Sequence, residues 1–284
     1  MENMKFKISI ITINYNNEEG LKKTIKSVES QSYQDFEFII IDGKSTDNSV
    51  ELIEKCSCVA KWVSEEDTGV YNAMNKGVRM SQGEYLIFMN SGDVFYDNNV
   101  LALFLKELDT QEDIVYGNSI YYNDSGYYRE EFPPKKLGFS FFVTAGINHQ
   151  AVFIKRELFF KNFFYEESYK ISADWDFFIR NICLNSASYK HVNSFVCRYD
   201  FSGISANPKN QSCYIEERDR TLNTYFAPFY DQIYKNIFLS VSRKRLYQFL
   251  YLKQFKTLWK LLRGFINILI LFTPNKKYKK YLNQ

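Results

Sequence analysis

The sequence predicts an α/β fold: a doubly wound, mostly parallel sheet, a mixed second half and a helical C-terminal appendage. Three observations predict it. Strand-like and helix-like stretches alternate four times in under a hundred residues, the pattern of a parallel sheet wrapped by helices. The strand-like stretches are β-branched and almost wholly apolar, as in Ile8-Ser-Ile-Ile-Thr-Ile13 and Phe38-Ile-Ile-Ile41, which suits strands covered on both faces. Beyond Asp93 the alternation gives way to a hairpin signal and longer spacings.

Lys7–Asn14 reads as a buried strand. Glu18–Gln31 places Leu21, Ile25 and Val28 at helical spacing. Phe36–Asp42 is a second, Ile-rich strand, and Thr46-Asp47-Asn48 caps a helix ending near Lys55. Val59–Val63 is a short third strand, Gly69–Met80 a helix and Glu84–Asn90 a fourth strand. Asn98–Leu108 reads as a helix. Ile114–Tyr122 and Tyr127–Phe132 flank the turn residues Asn123-Asp-Ser-Gly126, and Pro133-Pro134 stops the hairpin. Gln150–Ile154 is a strand, Asp174–Asn185 a helix and Tyr189–Arg198 a strand. Asn207-Pro208 marks the expected boundary between a domain of residues 5–208 and a helical region, 209–284.

The bulk properties narrow the function. At 284 residues the chain holds one large domain, or one domain with an appendage. A net charge of +3 gives no case for general nucleic-acid binding. Aromatic content is high, with 26 Phe and 22 Tyr; beyond the core, such rings suit a sugar or a membrane surface. Five Cys form no even framework, and Cys56-Ser-Cys58 has the wrong spacing for a zinc knuckle, so free thiols in a reducing cytoplasm are expected. With two His in the chain, a His-rich metal site is excluded. Residues 1–7 lead straight into a strand, so no signal peptide is expected, and no apolar run is long enough for a spanning helix.

The most informative stretch is Ser64-Glu-Glu-Asp-Thr-Gly-Val-Tyr-Asn-Ala-Met-Asn-Lys-Gly77, followed by Gly83-Glu-Tyr-Leu-Ile-Phe-Met-Asn-Ser-Gly-Asp93. The first part sets Asp67 and a glycine ahead of a helix bearing Asn72, Asn75 and Lys76. The second is a strand with a polar tip, Asn90-Ser-Gly-Asp93. Open α/β sheets bind ligands at the carboxyl ends of their strands. Asp93 there suits a divalent metal, Mn2+ or Mg2+, and such a metal holds a diphosphate. Thr12, Asn14 and Asn16, at the first strand tip, offer a rest for a nucleotide base; a polar turn with an Asn helix cap is the competing reading. Asp42 ends the second strand, where acids commonly grip a ribose or base, whereas Asp47 is better explained as a helix cap. Lys76 suits a phosphate as a point charge, or stands as a solvated lysine at a helix end.

These motifs resemble the inverting family-two glycosyltransferases of GT-A fold, and within them the bacterial colanic-acid type that extends lipid-linked polysaccharide units. The resemblance runs through Ile8-Ser-Ile-Ile-Thr-Ile-Asn-Tyr-Asn16 and Phe38-Ile-Ile-Ile-Asp-Gly-Lys-Ser-Thr-Asp-Asn-Ser49. It resumes at Asn148-His-Gln-Ala-Val-Phe153, Ser172-Ala-Asp-Trp-Asp176 and Phe201-Ser-Gly-Ile-Ser205. It implies a nucleotide-binding half, 5–93, and an acceptor half, 94–208. It implies that Asp42 and Asp67 lie by the nucleoside base and that Asn90 or Ser91 contacts the sugar or ribose. The family's usual Asp-x-Asp has Asn90 in place of its first acid here, leaving Asp93 as the main metal ligand. Inversion needs a carboxylate within about 3 Å of the attacking hydroxyl; Asp174 and Asp176 are the candidates, and the family's base falls at Asp174. By the same resemblance His149 and Gln150 flank the donor sugar or acceptor. Residues 201–205, with Gly203 and Ser205, form a segment that closes over the diphosphate, helped by the charge of Arg198.

From Ser242 onward cations and apolar residues interleave without a single acid. That composition suits the surface of an anionic bilayer, or else a basic helix packed on the domain. The expectation is therefore a glycosyltransferase that moves a sugar from a nucleotide-diphosphate donor, a UDP-sugar, to a lipid-linked saccharide. It would work peripherally at the cytoplasmic face of the plasma membrane. Two rivals stand beside it. A sugar nucleotidyltransferase would want a Gly-rich cationic loop after the first strand, where this chain has Asn14-Tyr-Asn-Asn-Glu-Glu-Gly20. A non-catalytic, membrane-associated sugar-nucleotide-binding module would not need Asp42, Asp93 and Asp174 together. A dinucleotide-binding reading fails, because no Gly-x-Gly-x-x-Gly follows any strand.

Overall fold

A computed structural model describes residues 6–123, 125–201, 203, 207–227, 230, 252 and 255–271. The chain forms two compact units, Met1–Tyr225 and Phe226–Gln284. The first begins with the predicted alternation: β1 (Phe6–Asn14), α1 (Glu18–Glu29), β2 (Phe36–Asp42), α2 (Ser49–Lys55), β3 (Lys61–Ser64), α3 (Val70–Met80) and β4 (Gly83–Phe88). β2, β1 and β4 lie side by side in parallel, with β3 outside β2. Asn14 pairs with Asp42, and Asp42 with Ser64, so these strand tips share one edge of the sheet.

Alternation along the strands divides the core, because successive strand side chains face opposite ways. Ile8, Ile10, Phe38, Ile40, Tyr85 and Ile87 pack with Leu21, Ile25 and Val28 of α1 and Ile53 of α2. Ile39 and Ile41 face the other way, toward Ala73 of α3. The α3 helix lies close against β1: a Cβ on Gly77 would fall 2.4 Å from Cγ2 of Ile11, so only glycine fits.

The second half is mixed. A two-residue strand β5 (Val94–Phe95) is followed by α4 (Val100–Leu108), β6 (Ile114–Tyr122), β7 (Tyr128–Glu131) and α5 (Phe139–Thr144). Next come β8 (Val152–Lys155), α6 (Arg156–Lys161), α7 (Ala173–Cys183), β9 (Tyr189–Asp200) and α8 (Gln211–Tyr225). Among the described residues the sheet order is β3-β2-β1-β4-β8-β6-β9-β5, with β7 on β6 as the predicted hairpin. β8 runs antiparallel to β4, so the parallel half ends where the mixed half begins. The short β5, α5 and α6 carried too little periodicity to be read from sequence. Expected strand starts also shift: β3 begins at Lys61 rather than Val59, and His149–Ala151 is a 3-10 turn ahead of β8.

The helix α8, assigned from sequence to the C-terminal region, belongs to the first unit and is tied to it by hydrogen bonds. Glu217 accepts from the backbone N–H groups of Lys170, Ile171 and Ser172. Arg218 donates to the carbonyls of Phe142 and Ala145, and its guanidinium lies 4.1 Å from the Trp175 ring centroid. In the second unit the described helix is α9 (Lys256–Leu271). No helix among the described residues is long and apolar enough to cross a membrane.

Candidate active site

The carboxyl-terminal tips of β1, β2 and β4 meet where the strand order reverses, the usual ligand crevice of an open α/β sheet. Asn14 joins them. Its Nδ2 donates to Asp42 Oδ1 at 2.8 Å and to Ser45 Oγ at 3.2 Å, while its Oδ1 accepts from Ser91 Oγ at 2.8 Å. Asn16 holds the adjoining loop, accepting from Thr46 N at 2.7 Å and donating its own backbone N–H to Ser45 Oγ at 2.8 Å. Asn17, which the sequence reading passed over, caps α1 through Gly20 N at 3.1 Å and donates to the Ser91 carbonyl at 3.1 Å. Asp47 accepts from Ser49 N and Glu18 N, both at 3.0 Å, confirming a structural role at two helix starts.

Burial and hydrogen bonding fix several of the side chains singled out from sequence. Thr12 is fully buried and donates to the Met89 carbonyl at 2.7 Å, so it braces β1 against the β4 tip and does not reach the mouth. Asp42 is also fully buried. Its two oxygens accept from Asn14, from Ser45 N and Oγ, and from Ser64 Oγ. Burial pushes this carboxyl up, but the four donors outweigh it and leave the group below its ordinary range. Asp42 therefore shapes the tip through these four donors.

Asp67 lies at the same tip. Its Oδ2 would stand 3.0 Å from a Cβ on Gly43, and its Oδ1 pairs with Lys76 Nζ at 2.6 Å. Lys76 also meets Glu65 at 2.9 Å, so two carboxylates face its charge. Asn72 donates to Glu167 at 2.8 Å and Asn75 to the same carboxylate at 2.8 Å, clasping α3 to the mixed half.

The β4 tip departs most from expectation. Asp93, the expected metal ligand, is turned inward and is 3% exposed. Its Oδ1 accepts from Asp200 N at 3.0 Å and its Oδ2 from Gln150 Nε2 at 2.9 Å. Burial raises its carboxyl to about 7 against those donors. Gln150, 2% exposed, thus holds Asp93. Gly92 adopts φ 105°, a region that suits glycine. A Cβ at Gly92 would fall 3.2 Å from Asp200 Oδ2. A second carboxylate beside the tip therefore comes from the end of β9. Both Asp93 oxygens accept a protein donor, while the half-buried Asp200 places a second carboxylate beside the tip, a hard oxygen donor of the kind that suits a divalent cation. Among the described residues the one group of three with metal-ligand spacing is Glu29, Cys56 and Cys58, which contains none of the tip residues.

Opposite the tip stands Asp174, in the first turn of α7. Tyr71 donates its hydroxyl to Asp174 Oδ1 at 2.9 Å, and His149 Nδ1 lies 2.9 Å from Oδ2. Burial raises the Asp174 carboxyl, but His149 and Tyr71 together bring it below its ordinary value. The Nε2 of His149 points the other way, 3.3 Å from Asn90 Nδ2, while Asn90 Oδ1 is buried with no hydrogen-bond partner. Asp176 faces α8, accepting from Thr221 at 2.7 Å and Arg180 at 3.0 Å, and does not join the pair. Burial raises its carboxyl despite those donors.

Arg198 is exposed, its guanidinium 5.4 Å from the Tyr96 ring centroid. It shares with Lys23, Tyr122 and Tyr128 a cleft of about 460 Å³. Gly203 is exposed, and Ser205 lies outside the described residues. The sequence reading missed Tyr71, Asp200 and Glu217. Tyr71 stood inside the quoted Gly-Val-Tyr-Asn run, but nothing in sequence places its hydroxyl against a carboxylate more than a hundred residues away.

Comparison with known proteins places the fold and the family. A family model described as Glycosyl transferase family 2 matches residues 9–164. A PGL/p-HBAD biosynthesis glycosyltransferase of Mycobacterium bovis is 31% identical over 204 residues, covering 69% of this chain and 78% of that protein. Glycosyltransferase GlyA of Streptococcus pneumoniae is 31% identical over 122 residues, covering 42% of this chain and 18% of its own length. Among solved structures, S. aureus TarS 1-349 in complex with UDP-GlcNAc superposes with a TM-score of 0.58 at 18% identity, covering 69% of this chain and 58% of that one. The mannosyltransferase PcManGT from Pyrobaculum calidifontis, in complex with GDP-Man and Mn2+, gives 0.56 at 16%, covering 78% and 63%. This chain thus spans less than two thirds of either solved chain. The fold is of the GT-A type. With a family model over more than half of its length, this chain belongs to the family-two glycosyltransferases.

Proposed function

We propose that this chain transfers a sugar, with inversion, from a UDP-sugar to a lipid-linked saccharide at the inner surface of the plasma membrane. One observation carries the catalytic part. Asp174 and His149 form a hydrogen-bonded pair, 2.9 Å apart, set opposite the β4 tip. An acceptor hydroxyl bound between tip and pair attacks the anomeric carbon while the diphosphate leaves from the other face, and the pair takes its proton. The donor half is braced by Asn14, Asn16, Ser91 and Asp67, and the complex of TarS with UDP-GlcNAc supports a uridine donor. PcManGT bound Mn2+ together with GDP-Man. In this chain a divalent cation would be carried by the donor diphosphate and held by Asp200; when bound, it spreads the leaving charge.

The lipid-linked acceptor is supported by the C-terminal composition and by α9, where Leu258, Leu261 and Phe265 are 47%, 67% and 59% exposed. A release assay tests the reading. Purified protein is incubated with a panel of nucleotide-sugars, with manganese or with chelator, and with or without membrane lipid extract. Release of nucleoside diphosphate from one donor, lost in Asp174→Asn, is expected. No release from any donor, even with lipid extract, sinks the transferase reading for this chain.

A further inference from the structure

The hydrogen-bond chain at the acceptor side runs Tyr71, Asp174, His149, Asn90, and its direction is fixed by chemistry. A carboxylate only accepts. Nδ1 of His149, 2.9 Å from Asp174 Oδ2, must therefore carry the ring proton. In the neutral ring this leaves the lone pair on Nε2, and Nε2 is the atom turned toward the β4 tip. Its contact there, 3.3 Å to the Asn90 amide nitrogen, is long for a hydrogen bond, so an incoming hydroxyl can replace it at small cost.

Asp174 is placed differently. Both of its oxygens already accept, one from Tyr71 and one from His149. Those donors also hold its carboxyl below the ordinary range against its burial, which makes it a weak acceptor of a further proton. The imidazole separates it from Asn90. The Phe88 ring lies in an edge-on arrangement with that imidazole, centroids 6.5 Å apart.

We propose that Nε2 of His149, rather than Asp174, receives the proton of the acceptor hydroxyl, with Asp174 acting through it as a positioning residue; this rests on the transferase reading. The acceptor O–H bond breaks, its proton goes to Nε2, and its electron pair forms the new bond to the anomeric carbon. The bond from that carbon to the diphosphate oxygen breaks, and its pair leaves on the diphosphate. The imidazolium that forms donates Nδ1–H to Asp174, whose negative charge it needs. Asp174 also fixes the tautomer, and Tyr71 holds the other carboxylate oxygen. The titratable groups facing the ring and its partner are Asp174 from α7, Tyr71 from α3, Asp93 beyond the β4 tip and Tyr165 beside Asp174.

Chemical rescue decides the matter. Wild type, His149→Ala, His149→Gln and Asp174→Asn are first titrated with nucleoside diphosphate by calorimetry, and all should bind within about threefold of one another. Acceptor-dependent transfer is then measured with the donor found in the release assay. Loss of a general base costs about 10²–10⁴-fold in rate, so His149→Ala and His149→Gln should fall by about a thousandfold in kcat. Added imidazole should restore His149→Ala at least tenfold, with a pH profile that follows the free base of the added imidazole. It should not restore Asp174→Asn. A His149→Ala enzyme that keeps more than a tenth of wild-type kcat would overturn the proposal. So would a bound but silent His149→Ala enzyme that imidazole fails to revive while formate revives Asp174→Ala. A wild type that binds no nucleoside diphosphate fails earlier, at the calorimetric step, and overturns the transferase reading itself.

Discussion

At the scale of residues, the informative positions are those whose chemistry and whose place in the fold disagree. Asp93 carries the right functional group at the right strand end, yet it is 3% exposed and both oxygens are engaged. Burial raises its carboxyl to about 7, so the folded chain holds this proton more tightly than the unfolded chain does. The sign follows from linkage. The contribution is full below the ordinary carboxylate value and is lost as pH rises through about 7. Asp93→Asn mimics the protonated group, and rotating the Gln150 amide satisfies it. The variant should therefore lack this loss and match or exceed wild type in Tm at pH 8, while retaining transfer activity. Thermal melts between pH 4 and 8, with activity at each end, check this; loss of activity with an unchanged melt would return Asp93 to the metal. In sequence Asp93 read as an open ligand because strand-end position was legible and burial was not. The bond that turns it inward comes from Asp200, 107 residues on.

At the scale of elements, legibility followed contact range. β1 to β4 and α1 to α3 repeat one local grammar, an apolar β-branched strand and then a helix, and were read within two or three residues of their ends. β5 has two residues and owes its existence to pairing with β9, so no local signal marks it. The same holds for α8, whose sequence reads as a polar helix with no obvious partner. Its function lies in Glu217, which accepts the N–H groups of Lys170, Ile171 and Ser172 just before α7. These donors sit at the start of the helix that presents Asp174, where backbone N–H groups otherwise lack partners. Glu217→Ala leaves three of them without their acceptor and should cost about 1–3 kcal/mol. It should also lower kcat more than it changes donor affinity, because the loosened turn carries Asp174 and not the nucleotide. Urea unfolding together with steady-state kinetics tests this. Unchanged kcat in a destabilised variant would show that the turn is held by other means.

At the scale of the whole molecule, the family was legible and the division of labour was only partly so. The ordered series of short motifs sufficed for the family. It did not separate residues that meet a ligand from residues that hold those residues, because both kinds are polar strand-end side chains. The C-terminal composition, cationic and apolar without acids, poses its own test at this scale. The full chain should sediment with anionic vesicles of phosphatidylglycerol and phosphatidylcholine at low salt. It should release as salt rises, since surface attraction is screened beyond about 10 Å at 0.1 M. Equal binding to neutral vesicles would point to insertion by the apolar residues alone, and no binding to either would place the membrane contact elsewhere.

The inward turn of Asp93 has one further consequence. A single carboxylate ties the tip of a donor-side strand to Gln150, next to His149, and to Asp200 at the end of β9. The two halves of this enzyme are therefore not interchangeable cassettes. A hybrid that joins residues up to the β4 tip of one family member to the mixed half of another inherits two ends of a three-way knot. It should misfold or stall unless positions 93, 150 and 200 travel together. Grafting new acceptor preferences onto this scaffold thus begins with matching that trio and only then with the pocket walls.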